Sequence, residues 1–323
     1  LPVVRELASH GVAVSVDTRH ASVAEACIDA GACIVNDVSG FRSADMREVA
    51  ARGDAGLVVM HMRGTPKTMQ DAPAYDDVVH EVEQEMMRMV TRLTTEGVEP
   101  GRICLDVGIG FGKNVMHNLA LVQATAHFAE LGFPLMAAVS RKSFIGAMSA
   151  ESIPAMRDRA SALCAAFMVD QGARIVRVHD VATTREMLRD SHRVVIGLGS
   201  NMGNSCEHID DALASMRLDP DIWVGAVSEY VTSVPAYLEA QAPFVNAVAV
   251  IQTTLEPPEL LRVLQGLESE HGRIRGIENG PRPLDLDIID YEGVVCSDGE
   301  LDLPHPLALE RDFVVTPLLD ILP

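Results

Sequence analysis

The sequence predicts an α/β protein of two domains: part of a TIM-type (β/α)8 barrel, about six of its eight βα units, followed by a smaller α+β domain. At 323 residues the chain is too long for one average domain. Between residues 12 and 190, short β-branched runs alternate with helical segments. After residue 191 the strands are longer and fewer helices separate them, which is typical of an α+β domain.

The first domain, residues 1–190, contains six predicted strands. They are VAVSVD (12–17), ACIVND (32–37), GLVVMHM (56–62), RICLD (102–106), PLMAAVS (134–140) and ARIVRVHD (173–180). Their continuous apolar character is typical of parallel strands that helices cover on both faces. Six such units in series form either an open doubly wound sheet or part of a barrel.

Polar residues at the strand ends favour the barrel. Each strand ends in one of them, namely Asp17, Asn36, His61, Asp106, Ser140 and His179. In a barrel these ends converge on one mouth, where active sites lie, whereas an open sheet would not gather all six. Because a barrel of this type has eight strands, we expect two more before Leu1. The chain also starts with Leu inside a helical pattern, so we expect it to begin within a longer reading frame.

The second domain, residues 191–323, combines strands with two helices. The predicted strands are VVIGLGS (194–200), 222–234, 244–252 and 284–291, and the predicted helices are 204–217 and 256–270. This order favours a separate α+β domain. We place the boundary near residue 191.

Composition and charge exclude several classes of protein. A net charge of −20 opposes binding to nucleic acid or anionic membranes, so an anionic substrate would need a local cluster of cations. Neither a membrane-spanning apolar stretch nor a signal peptide is evident in the sequence. The six cysteines are far apart and lack CxxC spacing, which is typical of reduced core residues. We therefore expect a cytoplasmic protein that acts on small molecules.

An acidic pair interrupts the last predicted strand, in the segment GPRPLDLDIID (280–290). Asp285 and Asp287 are two residues apart, so their side chains should face the same side of the strand, about 7 Å apart at Cα. Paired carboxylates, completed by water and phosphate oxygens, hold Mg²⁺ in phosphoryl-transfer sites. The alternative is a solvated strand face. An EF-hand is excluded because Ile289 occupies the fifth position of such a loop.

Cationic residues flank this acidic pair along the chain. They are Arg273 and Arg275 in GRIRG, Arg282 in GPR, and His305 and Arg311 in PHPLALERDF. Guanidinium groups match phosphate oxygens, so this cluster indicates a clamp for nucleotide phosphates. The alternative is a set of ordinary surface salt bridges.

Five ordered motifs over residues 194–323 resemble 6-hydroxymethyl-7,8-dihydropterin pyrophosphokinase. They are VVIGLGSNMGN, FVNAVAV, GRIRG…NGPRPLDLDII, LPHP and RDFVVTPL. The resemblance implies a ferredoxin-like α+β domain that transfers a pyrophosphoryl group from ATP to the pterin hydroxymethyl oxygen. It also implies two Mg²⁺ ions bound by Asp285 and Asp287.

The same resemblance assigns roles to further residues. It implies that the triphosphate is bound by Arg273, Arg282, His305 and Arg311, that Gln265 and Glu268 lie near the nucleotide, and that Asn246, Phe244 and Phe313 bind the pterin. Glu278 and Asn279 replace the Arg-Trp pair of the family, so we expect weaker turnover or substrate affinity. The family pattern continues past Pro323, so we expect the C-terminus of this domain to be incomplete.

Six motifs of the first domain resemble dihydropteroate synthase, namely SVDT, VNDVSG, MHMRGTPKTMQ, LDVGIGFGKN, SRKS and RVHD. This resemblance implies condensation of a pterin diphosphate with p-aminobenzoate, and one Mg²⁺ at the intact synthase site. It implies pterin binding by Asp17, Asn36, Asp106 and Lys142, diphosphate binding by Arg177 and His179, and p-aminobenzoate binding near Ser143. Val107 and Ile109 replace the usual Pro and Phe.

The two resemblances together predict a bifunctional enzyme of folate biosynthesis, in which one domain makes the pterin diphosphate and the other consumes it. The family's first two strands carry an Asn and a phosphate-binding Arg, so we expect the condensation to need residues before Leu1. We also expect a homodimer through the barrel domain. Two alternatives remain open: a pyrophosphokinase with a non-catalytic barrel scaffold, and a pterin-binding module without turnover.

Overall fold

The structure is a computed structural model that describes residues 1–65, 67–235, 241–273, 280–297 and 299–322. The chain folds into two compact units. The first comprises Leu1–Phe144 and Gln171–Val178, and the second comprises Ile145–Asp170 and His179–Pro323. Arg275, Glu278 and Asn279 lie outside the described residues.

The six strands predicted before residue 190 are present and in the predicted order. The elements are α1 (Pro2–Ser9), β1 (Ser15–Asp17), α2 (Ala21–Asp29), β2 (Ile34–Asp37), α3 (Ala44–Arg52), β3 (Gly56–Met60), α4 (Val78–Thr95), β4 (Ile103–Asp106), α5 (Val115–Gln123), α6 (Thr125–Ala129), β5 (Met136–Ala137), α7 (Ser143–Met148), α8 (Asp158–Asp170), β6 (Ile175–Val176) and α9 (Val181–Asp190). Each strand is shorter than its apolar run because the backbone pairs regularly with a neighbouring strand over only part of that run.

The strands of the first unit pair in parallel with their neighbours in the sequence, as the strands of a barrel do. β1, β2, β3 and β4 form one sheet in that order, β5 pairs with β6, and a bridge from Leu105 to Leu135 links β4 to the segment before β5. The described strands do not close into a barrel. The register pairs Asp17 with Asn36 and Met60 with Asp106, so the C-terminal strand ends lie along one edge of the sheet, as predicted.

The second unit contains the predicted antiparallel sheet. Its elements after α9 are β7 (His192–Ser200), α10 (Ser205–Leu218), β8 (Ile222–Val227), β9 (Val231–Ser233), β10 (Phe244–Thr253), α11 (Pro257–Glu270), β11 (Asp285–Tyr291), β12 (Cys296–Ser297), β13 (Asp302–Leu303) and α12 (Asp312–Ile321). The strand order is β11-β7-β10-β8, with β9 paired to the other end of β10. A break between β8 and β9 divides the strand predicted over 222–234.

Helices cover both faces of this sheet. Ile209 and Leu213 of α10 and Leu260 and Leu264 of α11 pack in one apolar core on one face. Val314 of α12 belongs to a second, smaller core. Helix α8 contacts β8 and β10, and a Cβ atom on Gly225 would lie 2.3 Å from the Phe167 ring. The contact places α8 in the second unit.

Among the described residues, no helix combines the length and the apolar character that crossing a bilayer requires.

Candidate active site

The acidic pair lies on one face of β11. Leu286 and Ile288 are buried in the larger core of the second unit, whereas Asp285 and Asp287 alternate with them and are partly exposed. The residues paired with the two aspartates on β7 are Gly199 and Gly197, which carry no side chain. The two glycines therefore leave space on this face of β7, which the side chains of Ile289 and Asn246 approach.

Both carboxylates line a cleft of the second unit. It encloses about 760 Å³ of empty space, part of it open to solvent. The predicted site residues that line it are Asp285, Asp287, Arg282, Arg311, Phe244, Phe313 and Asn246. Residues that lie far apart in the sequence thus meet in one concave surface.

Asp285 forms ion pairs with two arginines. Arg273 Nη1 lies 2.6 Å from Oδ1, and Arg282 Nη1 lies 3.1 Å from Oδ2. Arg282 Nε is buried and has no hydrogen-bond partner among the described residues. Its guanidinium lies 5.7 Å from the centroid of the Phe244 ring. A buried donor without a partner is costly, and an anionic group in the cleft would satisfy it.

Asp287 lies near Asp285 and three cationic side chains. Burial raises the pKa of its carboxyl group, and the neighbouring Asp285 raises it further, while His305, Arg282 and Arg311 oppose the shift. Two close carboxylates, one of them with a raised pKa, favour a bound cation because a cation relieves their repulsion. The donor set therefore fits a divalent metal. Within the described ranges, no three acidic, His or Cys side chains form a cluster able to hold a metal. Among the described residues, the two aspartates thus leave coordination positions for substrate or water.

Glu268 connects helix α11 to the cleft. Its side chain is buried and accepts a hydrogen bond of 2.8 Å from the backbone N–H of Leu286, and it forms an ion pair with Arg273. Burial raises the pKa of Glu268, and these two contacts oppose the shift. Glu268 thus holds Arg273 beside Asp285. Gln265 lies one turn earlier on the same helix.

Asn246 and two phenylalanines form the less charged part of the cleft. Asn246 is 6% exposed and donates from Nδ2 to Ser233 Oγ at 3.0 Å. A Cβ on Gly199 would lie 3.3 Å from Asn246 Oδ1, so the glycine leaves room for this amide. Phe244 and Phe313 both line the cleft. An amide beside aromatic rings can bind a flat, polar heterocycle.

In the first unit, Asp17 joins two of the predicted site residues. Asn36 Nδ2 donates to one oxygen of the Asp17 carboxylate, and Arg177 Nη2 donates to the other. Asn36 is 2% exposed, and its Oδ1 has no hydrogen-bond partner among the described residues. This acceptor remains available for a ligand that carries N–H groups.

Asp106 and Lys142 are held by the loop that follows β4. The Asp106 side chain accepts a 2.8 Å hydrogen bond from Gly108 N–H, and Lys142 Nζ donates to the carbonyl of Ile109. Burial lowers the pKa of Lys142 to about 8. An acceptor and a cation are thus positioned by one loop.

Two predicted residues lie in exposed positions. Ser143 is the first residue of α7 and is exposed. His179 is also exposed, directly before α9, and belongs to the second unit, whereas Arg177 belongs to the first. The roles of these two residues stay predictions.

Comparison with known proteins explains both sites. Residues 1–179 match the family model "Pterin binding enzyme", which covers more than half of the chain. The chain belongs to the pterin-binding enzyme family. Residues 195–323 match a second family model, 7,8-dihydro-6-hydroxymethylpterin-pyrophosphokinase. This pterin-binding enzyme is therefore fused to a pyrophosphokinase domain, as the motifs predicted.

The relatives of the pterin-binding part are dihydropteroate synthases. The chain is 41% identical over 191 residues to the synthase of Neisseria meningitidis serogroup C, covering 58% of this chain and 68% of the relative. It is 40% identical over 190 residues to that of Escherichia coli K12, covering 58% and 67%. Each alignment thus spans about two thirds of the relative.

Solved structures give the same relationship. The synthase of Stenotrophomonas maltophilia matches with a TM-score of 0.57 at 39% identity, covering 58% of this chain and 71% of that chain. A structure from Thermus thermophilus, solved in complex with 6HMPPP, matches with a TM-score of 0.56 at 42% identity, covering 58% and 74%. The fold of the matched part is therefore similar to that of these synthases.

The sequence analysis missed one cluster of this pterin-binding enzyme. His61 contacts Lys113 and Glu85, and Arg63 pairs with Glu85. The sequence indicated only that His61 lies at a strand end. Composition gives no sign of this cluster because its members come from separate loops and a helix. The one available signal is a lysine within the apolar, glycine-rich segment LDVGIGFGK.

Proposed function

We propose that this chain catalyses pyrophosphoryl transfer from ATP to 6-hydroxymethyl-7,8-dihydropterin in its second unit, and that its first unit binds the pterin diphosphate for condensation with p-aminobenzoate. The observation that carries the proposal is the cleft in which Asp285 and Asp287 share a face with three arginines. In a chain of net charge −20, this local concentration of cations favours an anionic substrate.

The proposed transfer depends on positioning and charge neutralisation. Asp285 and Asp287 would hold Mg²⁺, which when bound offsets the negative charge of the nucleotide phosphates. Arg282 and Arg311 would bind phosphate oxygens, and the partnerless Nε of Arg282 supports this role. The ion pair with Glu268 keeps Arg273 pointing at the same place. These groups would stabilise charge on the transferred phosphorus because they are fixed before the reaction.

The pterin would bind on the less charged side of the same cleft. Its ring would lie between Phe244 and Phe313, and its polar edge would meet the Asn246 amide. Flat rings between aromatic faces gain from stacking and from loss of water, whereas the amide provides orientation. His305 and Gln265 would contribute from the nucleotide side.

In the first unit, the acceptors Asp106, Asn36 and Asp17 would bind the N–H groups of the pterin edge, and Lys142 would bind its carbonyl region. Arg177 and His179 would hold the departing diphosphate, and Ser143 would lie near p-aminobenzoate. Two structures of the Thermus thermophilus synthase contain 4-aminobenzoate and 6HMPPP, respectively. We extend this ligand class to the present chain.

Three finer points belong to the same proposal: two Mg²⁺ ions at the pyrophosphokinase site and one at the synthase site, a homodimer through the barrel domain, and a cytoplasmic location. Each stays a prediction. Ion counts require a metal titration, and the oligomeric state requires a measurement of mass in solution.

The proposal is tested by AMP release from ATP in the presence of hydroxymethyl-dihydropterin and Mg²⁺. We expect the wild type to release AMP, and Asp287→Ala to abolish the release while pterin affinity changes only a few fold. Asp290→Ala, a matched change on the same strand, should keep the activity. Activity of Asp287→Ala close to wild type would disprove the metal assignment.

A further inference from the structure

A buried lysine organises the loop between β4 and α5, residues 107–114. Lys113 is 3% exposed, and its Nζ lies 3.0 Å from the carbonyl oxygens of Gly108 and Phe111. Its third neighbour is His61 Nδ1, at 2.9 Å. No direct ion pair with a carboxylate holds Lys113 among the described residues, so these three contacts replace the water that an ammonium group would have.

His61 connects this lysine to helix α4. Its side chain is fully buried, and Nε2 lies 3.2 Å from Glu85 Oε2. Burial lowers the pKa of His61 to about 4, against the opposing effect of Glu85, so the ring is neutral at pH 7. Since the Glu85 carboxylate can only accept, the proton of the neutral ring lies on Nε2. Nδ1 is then an acceptor, and the three hydrogens of the Lys113 ammonium meet three acceptors.

The loop is packed closely against the segment that carries His61. Gly108 has a φ of +71°, and a Cβ there would lie 1.8 Å from the carbonyl oxygen of His61. The backbone N–H of His61 also donates to the carbonyl of Asp106 at 2.9 Å. The 107–114 loop and the segment that carries His61 are therefore held together, and the Lys113 side chain contacts both.

This loop positions two of the four groups assigned to the pterin, Asp106 and Lys142. Gly108 N–H donates to the Asp106 carboxylate, and the carbonyl of Ile109 accepts from Lys142. We infer that Lys113, together with His61 and Glu85, is a positioning residue that fixes the 107–114 loop so that Asp106 and Lys142 meet the pterin, given the proposed function of the first unit. Lys113 acts through the loop and does not itself touch the substrate.

The charge on Lys113 is sensitive to pH near neutrality. Burial lowers its pKa to about 7. The charged and titratable groups that face it are Asp106 and Glu85, which raise the pKa, Lys142 and Arg63, which lower it, and His61 and His117. Loss of the proton leaves two hydrogens for three acceptors, so the amine lone pair then faces one of these acceptors. The contacts by which Lys113 fixes the 107–114 loop should therefore weaken as the pH rises through about 7.

The test compares pterin affinity of the full chain for wild type and Lys113→Met at pH 6 to 9. The ratio of the two affinities cancels the titration of the free pterin, because both proteins bind the same ligand. We expect at least tenfold weaker binding by Lys113→Met at pH 6, and a ratio that approaches a constant, smaller value above pH 8. Arg88→Met, which removes an exposed cation from α4, should bind like wild type at every pH.

A purely structural lysine would give a ratio that does not vary with pH, and that result would overturn the inference. Glu85→Gln provides a second variant that keeps an acceptor for His61 but removes a charge that stabilises the ammonium. When Lys113→Met is compared with Lys113 in the Glu85→Gln background, the ratio of pterin affinities should change at a lower pH than in the wild-type background. A transition at the wild-type pH in this variant would also contradict the inference.

Failure of the proposed function gives a different pattern. If wild type binds no pterin at any pH, the synthase assignment is wrong, and amide hydrogen exchange of residues 107–112 decides on Lys113 instead. After correction for intrinsic rates, protection of these amides in wild type should fall as the pH rises through about 7 and be absent in Lys113→Met. Equal protection in both proteins would overturn the inference.

Discussion

Asp106 and Lys113 are 1% and 3% exposed, although charged side chains are seldom buried so completely. Each is surrounded by backbone donors or acceptors of one loop. Burial of such groups costs stability that an apolar residue would not cost. At the scale of single residues, the presence of buried charged groups despite this cost in stability indicates that their position matters for binding.

Glu85 should contribute to stability in a manner that depends on acid pH. Its hydrogen bond with His61 lowers its pKa from 4.5 to about 2. A carboxyl group with a depressed pKa stabilises the fold above its unfolded pKa and loses this contribution as the pH falls through its folded pKa. We expect Glu85→Gln to cost on the order of 2 kcal/mol at pH 6, allowing for partial exposure.

The difference between wild type and Glu85→Gln should shrink between pH 4.5 and about 2. Native-state amide exchange of helix α4 measures it locally. A difference that stays constant through this range would contradict the role of the His61 contact.

Arg282 should resist replacement by lysine. It pairs with Asp285 through Nη1 and offers a buried Nε as a further donor. Lysine keeps the charge but cannot provide two fixed N–H groups to a phosphate. We expect Arg282→Lys to lower kcat/KM for ATP by about tenfold or more, measured by AMP release. Arg262→Lys, on the outer side of α11, should leave kcat/KM unchanged; equal effects of the two changes would argue against phosphate binding by Arg282.

At the scale of elements, replacement of Gly225 should destabilise the contact between α8 and β8. A Cβ there would lie 2.3 Å from the Phe167 ring, so Gly225→Ala should cost about 1–3 kcal/mol through overpacking. Gly266→Ala in α11 is the matched control, because nothing lies within 4 Å of its Cβ position. The control should stabilise by about 0.5–1 kcal/mol.

Trp223, the one tryptophan of the chain, lies on β8 and reports unfolding of the second unit by its fluorescence. Denaturant midpoints of the two variants should therefore shift in opposite directions. The same shift in both would mean that Phe167 does not pack on Gly225 as described.

Local sequence patterns were sufficient for most elements and for the acidic pair. Helix α11 begins one residue later than predicted, and the period of two on β11 placed Asp285 and Asp287 on one face. Helix α12 was not predicted because Pro317 interrupts its pattern. Contacts between distant segments, such as Lys113 with His61, could not be predicted because neither residue carries a local sign of its partner.

At the scale of the whole molecule, the division between units does not follow the division between family models. Residues 145–170 lie within the match to the pterin-binding family but belong to the second unit. A fragment of residues 195–323 lacks α8, which packs against β8 and β10. We expect this fragment to melt at a lower temperature than the second unit of the full chain, with red-shifted Trp223 emission, because apolar surface becomes exposed. Identical melting and emission would support a boundary near residue 191.

Metal binding by Asp285 and Asp287 is the central claim, and titration with Mn²⁺ followed by electron paramagnetic resonance tests it most directly. With a non-hydrolysable ATP analogue and pterin present, we predict two ions bound at the pyrophosphokinase site of the wild type and at least one fewer in Asp287→Asn. The same number of bound ions in both proteins, or none beyond those bound by free nucleotide, would contradict the account.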